Sequence, residues 1–299
     1  MIYIQNDSSK IILARDEYLD KMLPLIFDRI DNLTDLVGIK FFDLLINDNL
    51  EKILIGKPDV LLEVNKTYSN YPVIKKAIKY VFNYDWFTSK CVNRYDAYNL
   101  AEALDMNTCT YCNRLYTNTV ITVNKQKIIR PQFDHFFDKK SNPLLSLSFY
   151  NLIPSCSICN SNIKLGKEFE LSTHIHPYLD DIIEDFNFTF EFTSENRSGL
   201  KIKVNSIVGS KEEKTFTDMA LETVYNSHIS ELKDLLMLKA KYSDRYLTIL
   251  ASNILGSSVV TSSEELYRLA FGVEFAREDF YKRPFSKFKN DILKELNII

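Results

Sequence analysis

Apolar positions recur at helical spacing through the first third of the chain. From Ile11 to Ile30 they fall at Tyr18, Met22, Leu23, Ile26, Phe27 and Ile30, a mixture of three- and four-residue steps that predicts an amphipathic helix. Leu36 to Ile46 and Val73 to Phe82 repeat the pattern, with turns expected at Lys57-Pro58-Asp59 and Asn70-Tyr71-Pro72. The middle of the chain changes period. In Thr117 to Val123 β-branched and polar residues alternate, Asn124-Lys125 reads as a turn, and Ile128-Ile129 begin a return strand. Asn187 to Phe192 and Leu200 to Val204 predict a second hairpin across Asn196-Arg197-Ser198-Gly199. From about Lys211 the helical period returns. It predicts one long helix over Phe216 to Leu250 and shorter ones over Glu264 to Phe271 and Lys287 to Leu296.

The expected layout is therefore α+β. A helical N-terminal region (1–100) precedes a strand-bearing central part (101–207), and a helical C-terminal region (208–299) follows. With 45% apolar and 26% charged residues the chain has the composition of a globular protein. No apolar run is long enough to cross a bilayer, and Met1 to Asp7 has neither the basic start nor the apolar stretch of a secretory signal. A cytoplasmic protein is expected. Its five cysteines then need a role other than disulfides.

Four of them form matched pairs, Cys109-Thr110-Tyr111-Cys112 and Cys156-Ser157-Ile158-Cys159; Cys91 stands apart, read as a buried free thiol. Two residues between thiols let both reach one ion from a tight turn. Two such pairs complete a tetrahedral four-sulfur shell, the arrangement zinc prefers in structural sites. A four-sulfur shell leaves no open position, so any chemistry must lie elsewhere. A redox role would need a CxxC beside a βαβ unit, and that pattern is missing.

Between the pairs stands Phe133-Asp134-His135-Phe136, and Tyr150-Asn151-Leu152-Ile153-Pro154 runs into the second pair. Asn160 follows Cys159 directly; a short helix is expected there, ending near Gly166 and placing Asn160 and Lys164 on one face. These residue types suit metal-assisted phosphodiester hydrolysis. A neutral His can deprotonate water near pH 7, and an Asn oxygen can hold its second ring nitrogen. Asp134 and Asn160 offer oxygen ligands of the kind Mg²⁺ or Mn²⁺ accepts. Charge concentrates in the same place. Residues 107–167 carry eight Lys and Arg against Asp134 and Asp138, or +6, which leaves −9 for the remainder of a chain of net charge −3. Lys164, Lys167 and Arg114 are the cations expected to contact nucleic-acid phosphates, although a solvated basic face would show the same count.

The order Cys109-Thr110-Tyr111-Cys112-Asn113-Arg114, Asp134-His135-Phe136, then Asn151 through Lys164 resembles the HNH endonucleases of ββα-metal fold. The likeness is greatest to bacterial members with this order of motifs, several of which are encoded beside ATPases in anti-phage defence systems. It covers the central motifs, with a weaker likeness in Tyr281 to Lys289. The resemblance implies His135 as general base, Asn151 as the residue orienting it, and Asp134 with Asn160 as holders of a single catalytic Mg²⁺ or Mn²⁺. Asn160 stands where the family often has His. The four cysteines would hold structural zinc, DNA would be the substrate, and an ATPase or other defence subunit would be the partner. Two alternatives stay open: an RNA- or tRNA-cleaving enzyme with the same core, and a non-catalytic zinc module that binds a partner. His174 and His176, two residues apart, could serve a metal or a turn; His228 is expected to be structural, on the long C-terminal helix.

Overall fold

The computed structural model describes residues 1–68, 72–91, 93–195, 199–241 and 262–299. It is a mixed architecture of helices and three small two-stranded sheets. The N-terminal region supplies α1 (Ser9–Asp31), α2 (Leu36–Asp48), α3 (Leu50–Ile55), α4 (Pro58–Tyr68), α5 (Lys75–Val81), α6 (Tyr84–Thr88) and α7 (Ala97–Leu104). The buried stripe of α1 runs Ile11, Ala14, Tyr18, Met22, Ile26, Ile30. That stripe matches the periodicity, except that Phe27 lies toward solvent. The turn expected at Lys57-Pro58-Asp59 is the start of α4, with Pro58 as its first residue. That position needs no backbone N–H. Of the Asn70-Tyr71-Pro72 turn, residues 70 and 71 lie outside the described residues.

The central part holds β1 (Val120–Ile121) paired with β2 (Lys127–Ile129), β3 (Gln132–His135) paired with β4 (Leu152–Ser155), and β5 (Asn187–Phe192) paired with β6 (Leu200–Asn205), all antiparallel. The strand expected over Thr117 to Val123 shrinks to two residues. Its pairing is irregular, and Lys125 turns the chain at φ 59°. The β5–β6 hairpin forms over the expected segments, with Phe192 opposite Leu200; residues 196–198 of its expected turn lie outside the described residues.

The predicted long C-terminal helix is broken into α8 (Lys211–Asp218), α9 (Leu221–Asn226) and α10 (Ile229–Lys241), and residues 242–250 lie outside the described ones. The breaks have tertiary causes. Ala220 adopts φ 48°. Past it, Tyr225 donates its hydroxyl to the Cys112 carbonyl (2.7 Å), and Asn226 brackets Ile202 through both its N–H and its carbonyl. A continuous helix could not satisfy those anchors, so packing overrides propensity here. His228 sits in the turn after α9, not on a helix, and contacts Arg114 at 2.8 Å. Two further helices, α11 (Ser263–Phe271) and α12 (Ser286–Glu295), end the chain. Among the described residues no helix is long and apolar enough to cross a membrane.

Buried apolar side chains from all three regions join in one core. Polar anchors cross it too. The Tyr18 hydroxyl donates to the Leu147 carbonyl (2.7 Å), and the Ser148 hydroxyl donates to Ile53 of α3. Asp96 is the most loaded of these anchors. Fully buried, it caps α7, accepts from the Cys91 and Tyr98 N–H groups, and pairs with Lys127 at 2.6 Å. Removing the carboxylate would leave the nearly buried Lys127 ammonium with only neutral acceptors, the Cys91 carbonyl and the Asn99 side chain. Asp96→Ala is expected to destabilise the fold by about 3–5 kcal/mol in urea unfolding; a loss under about 1 kcal/mol would show the pair to be no more than a surface contact.

Candidate metal centre and catalytic cleft

The two Cys pairs sit on adjoining turns. After the first, Asn113 takes φ 49° and donates its N–H to the Cys109 carbonyl (2.8 Å), which curls the chain around the thiols. After the second, the Cys159 N–H donates to the Cys156 sulfur (3.4 Å) and the Asn160 N–H to the Cys156 carbonyl (3.0 Å). Thr110 donates to the carbonyl of Pro154 on β4 (3.2 Å), locking one turn to the other. All four sulfurs are buried and lie within 4.8 Å of one another. A tetrahedron with metal–sulfur bonds of about 2.3 Å has edges near 3.8 Å, so this cluster can close on one ion. Burial pushes the Cys109 thiol up; a cation in the centre is what would let all four carry charge. Cys91 is half-buried, not fully buried as expected, and is not one of the clustered thiols.

The β3–β4 hairpin leads straight from this cluster to a cleft of about 660 Å³. The hairpin is followed by a single π-helical turn, Ile158–Ile163, and Gly166 (φ 76°) ends the segment. Asp134, His135 and Asn160 line the same cleft.

Asp134 is buried, and one of its oxygens is heavily used. Its Oδ2 accepts from the Tyr111 hydroxyl (2.5 Å) and from the Lys164 ammonium (2.9 Å). Burial raises its pKa; Lys164 and Tyr111 oppose that rise. Tyr111 belongs to the first CxxC, so the sulfur cluster and the carboxylate share a residue. Asn160 donates its amide to the Gln132 side-chain oxygen (3.0 Å), leaving its own carbonyl oxygen as an acceptor.

His135 donates from Nε2 to the Ser146 carbonyl (3.0 Å). A carbonyl only accepts, so the proton sits on Nε2 and Nδ1 keeps its lone pair. Tyr84 of α6 braces the ring edge-on, centroids 4.5 Å apart, while its hydroxyl donates to the Phe133 carbonyl (3.0 Å). Burial pushes the imidazole down to about 4, so it is neutral at pH 7.

Several sequence-based roles change. Asn151 was expected to orient His135 directly. Instead it grips the intervening loop: Oδ1 accepts from the Phe137 N–H (2.7 Å), and the amide donates to the carbonyls of Phe137 (3.1 Å) and Leu145 (2.9 Å). The adjacent Ser146 carbonyl is what meets the imidazole. Lys164 is not a free cation for phosphate. It is buried, with its ammonium shared between Asp134, the His135 carbonyl (2.6 Å) and the Phe169 ring. Arg114 faces His228 and does not line the cleft. Lys167 does line it, exposed, while donating to the Asp218 carbonyl. His174 and His176 stay outside: His174 stacks on Phe169 and bonds Asp218 (2.9 Å), and His176 packs on Phe136 at 4.3 Å. Tyr84, Arg130, Lys139 and Lys140, to which the motifs assign no role, also line the cleft.

Compared with protein-family models, with curated proteins and with solved structures, the chain finds no match in any of the three.

Two consequences can be measured. Cys156→Ser should abolish stoichiometric metal content and cooperative unfolding of the central part, because metal binding in such sites contributes folding free energy directly. Full metal occupancy with an unshifted melt would refute the cluster. Asn151→Ala removes three buried hydrogen bonds at about 1 kcal/mol each and should cost about 3 kcal/mol in urea unfolding. An unchanged stability would mean that Asn151 does not clamp the loop.

Proposed function

We propose that this chain is a metal-dependent endonuclease of the HNH type, hydrolysing phosphodiester bonds of nucleic acid, with DNA as substrate. One observation carries the reading: a two-stranded hairpin and a short helical turn bring Asp134, His135 and Asn160 to one cleft beside a four-cysteine cluster. A structural module has no need of this second constellation. The zinc assignment follows from the four-sulfur donor set. The likeness of the motifs to anti-phage HNH proteins supports a role as a defence effector working with an ATPase subunit.

The residues divide the work as follows. Asp134 and Asn160 present oxygen donors next to a water-accessible cleft, a set that fits a hard divalent cation such as Mg²⁺ or Mn²⁺. Such a cation, when bound, supplies the charge that holds the phosphate and stabilises the leaving oxygen. His135 accepts the proton of the attacking water at Nδ1. The Ser146 carbonyl fixes the tautomer that makes this possible, and it stabilises the imidazolium that results. Tyr84 keeps the ring from turning. Lys164 and Tyr111 orient Asp134 and oppose the effect of burial on its carboxylate.

The test is cleavage of supercoiled plasmid by zinc-loaded protein in Mg²⁺, Mn²⁺ or EDTA, with a parallel structured RNA. Nicking or linearisation that needs the divalent ion should fall by about 10²-fold or more in His135→Ala. Cleavage of RNA alone would move the reading to an RNA nuclease. Equal cleavage by the variant would remove His135 from the chemistry. No cleavage of either substrate, with binding of a protein partner unaffected by His135→Ala but lost in Cys109→Ser, would replace the reading with a zinc-binding interaction module.

A further inference from the structure

The catalytic cleft does not stop at its own wall. Tyr84, Lys139 and Lys140 also line a second cleft of about 310 Å³, reaching Lys79 and Asn83 of the helical N-terminal region. The path from His135 across this shared wall to Lys79 is marked by cations. Lys79 and Lys140 are exposed and Lys139 is half-buried. Acidic groups do little to cancel them. Asp138 turns its carboxylate into its own loop, accepting from the N–H groups of Lys140 (3.0 Å) and Ser141 (2.9 Å). Asp85 meets Lys139 at 3.6 Å but is 91% exposed, and so loose a surface pair contributes little.

The aromatic rings along this path are already occupied. Phe82 and Phe133 are buried, and Tyr84 is spent on His135, the Phe133 carbonyl and the Lys139 ammonium at 4.5 Å. A groove with cations and no open ring reads backbone charge rather than stacked bases.

We infer that the two clefts form one groove for a nucleic-acid backbone, in which Lys79, Lys139 and Lys140 contact the phosphates next to the one at His135. This rests on the nuclease reading for its scissile phosphate. It replaces Lys164 and Arg114 as phosphate contacts, and it makes α5 and α6 part of the substrate site. Recognition along this groove is independent of base sequence.

Binding, not cleavage, tests it. Full-length, zinc-loaded His135→Ala protein is titrated into short labelled DNA duplexes of two unrelated sequences by fluorescence anisotropy, from about 50 to about 200 mM KCl. Each phosphate contact contributes about 0.9 to the slope of log K against log salt. Adding Lys79→Ala, Lys139→Ala and Lys140→Ala together should flatten the slope by about 2–3 and weaken binding equally for both sequences. The three corresponding Arg substitutions should keep the slope, and Lys201→Ala, away from both clefts, should leave it unchanged. An unaltered slope in the Ala triple variant would overturn the groove, as would parent protein that binds no DNA at low salt. A flattened slope, together with no cleavage of plasmid or RNA by protein with His135 intact, would keep the groove and remove the nuclease reading.

Discussion

Four sulfurs within 4.8 Å of one another are the constraint on which the rest of the structure depends. The first CxxC turn is gripped from every region. Ile2 donates its N–H to the Thr110 carbonyl (2.8 Å), Tyr225 donates to Cys112, and Phe285 donates to Asn113 (2.6 Å). The Asn113 amide reaches the Thr108 hydroxyl and the Phe280 carbonyl, both at 2.9 Å. That is why Asn113 is both buried and left-handed: only that turn points its side chain at the C-terminal segment. The segment from Phe280 to Phe285 is thus the strap that holds the Cys turn.

The same turn reaches inward. Tyr111 passes the position of the sulfur cluster to Asp134 through a 2.5 Å hydrogen bond. Burying a carboxylate costs several kcal/mol unless it is paired and hydrogen-bonded, and here the pairing is complete on one oxygen. Lys164 meets that need and is consumed by it. A lysine four residues beyond Asn160 reads on paper as a phosphate contact; in the fold its ammonium neutralises the carboxylate beside it. How much of the segment's charge is free therefore depends on burial as well as on composition. Of the eight cations in the basic segment, Lys127 and Lys164 are spent on buried acids and Arg114 on His228, whereas Arg130, Lys139, Lys140 and Lys167 line the cleft.

What the sequence showed follows the same division. The cysteine cluster was legible because CxxC spacing is a local geometric requirement, and the β5–β6 hairpin because alternation is local too. The grouping of Asp134, His135 and Asn160 was legible through motif order. The partner of His135 was not, since it is the Ser146 backbone carbonyl, and a carbonyl leaves no signature in residue identity. Asn151 kept its importance but not its expected contact: it fixes a loop, and the loop fixes the imidazole. The break at Ala220 was invisible for a different reason. Helix period persists across it, and only the demands of Tyr225 and Asn226 on distant partners bend the chain.

Tyr84 shows how far such remote demands extend. It lies about fifty residues before His135, in a region whose periodicity reads as packing helices. Yet its ring braces the imidazole, and its neighbours Lys79 and Asn83 line the second cleft. The hairpin alone could not do this. Its strands are four residues long, and an isolated two-stranded ribbon is marginal in water. If His135 is the general base of the proposed function, its ring must be held to within a few tenths of an ångström, and the hairpin must borrow rigidity. It takes that rigidity from the sulfur cluster on one side and from α6 on the other. On the proposed function, the helical N-terminal region is then neither linker nor lid: it completes the site, and a core cut out without it would keep the motif while losing the geometry that gives the motif its chemistry.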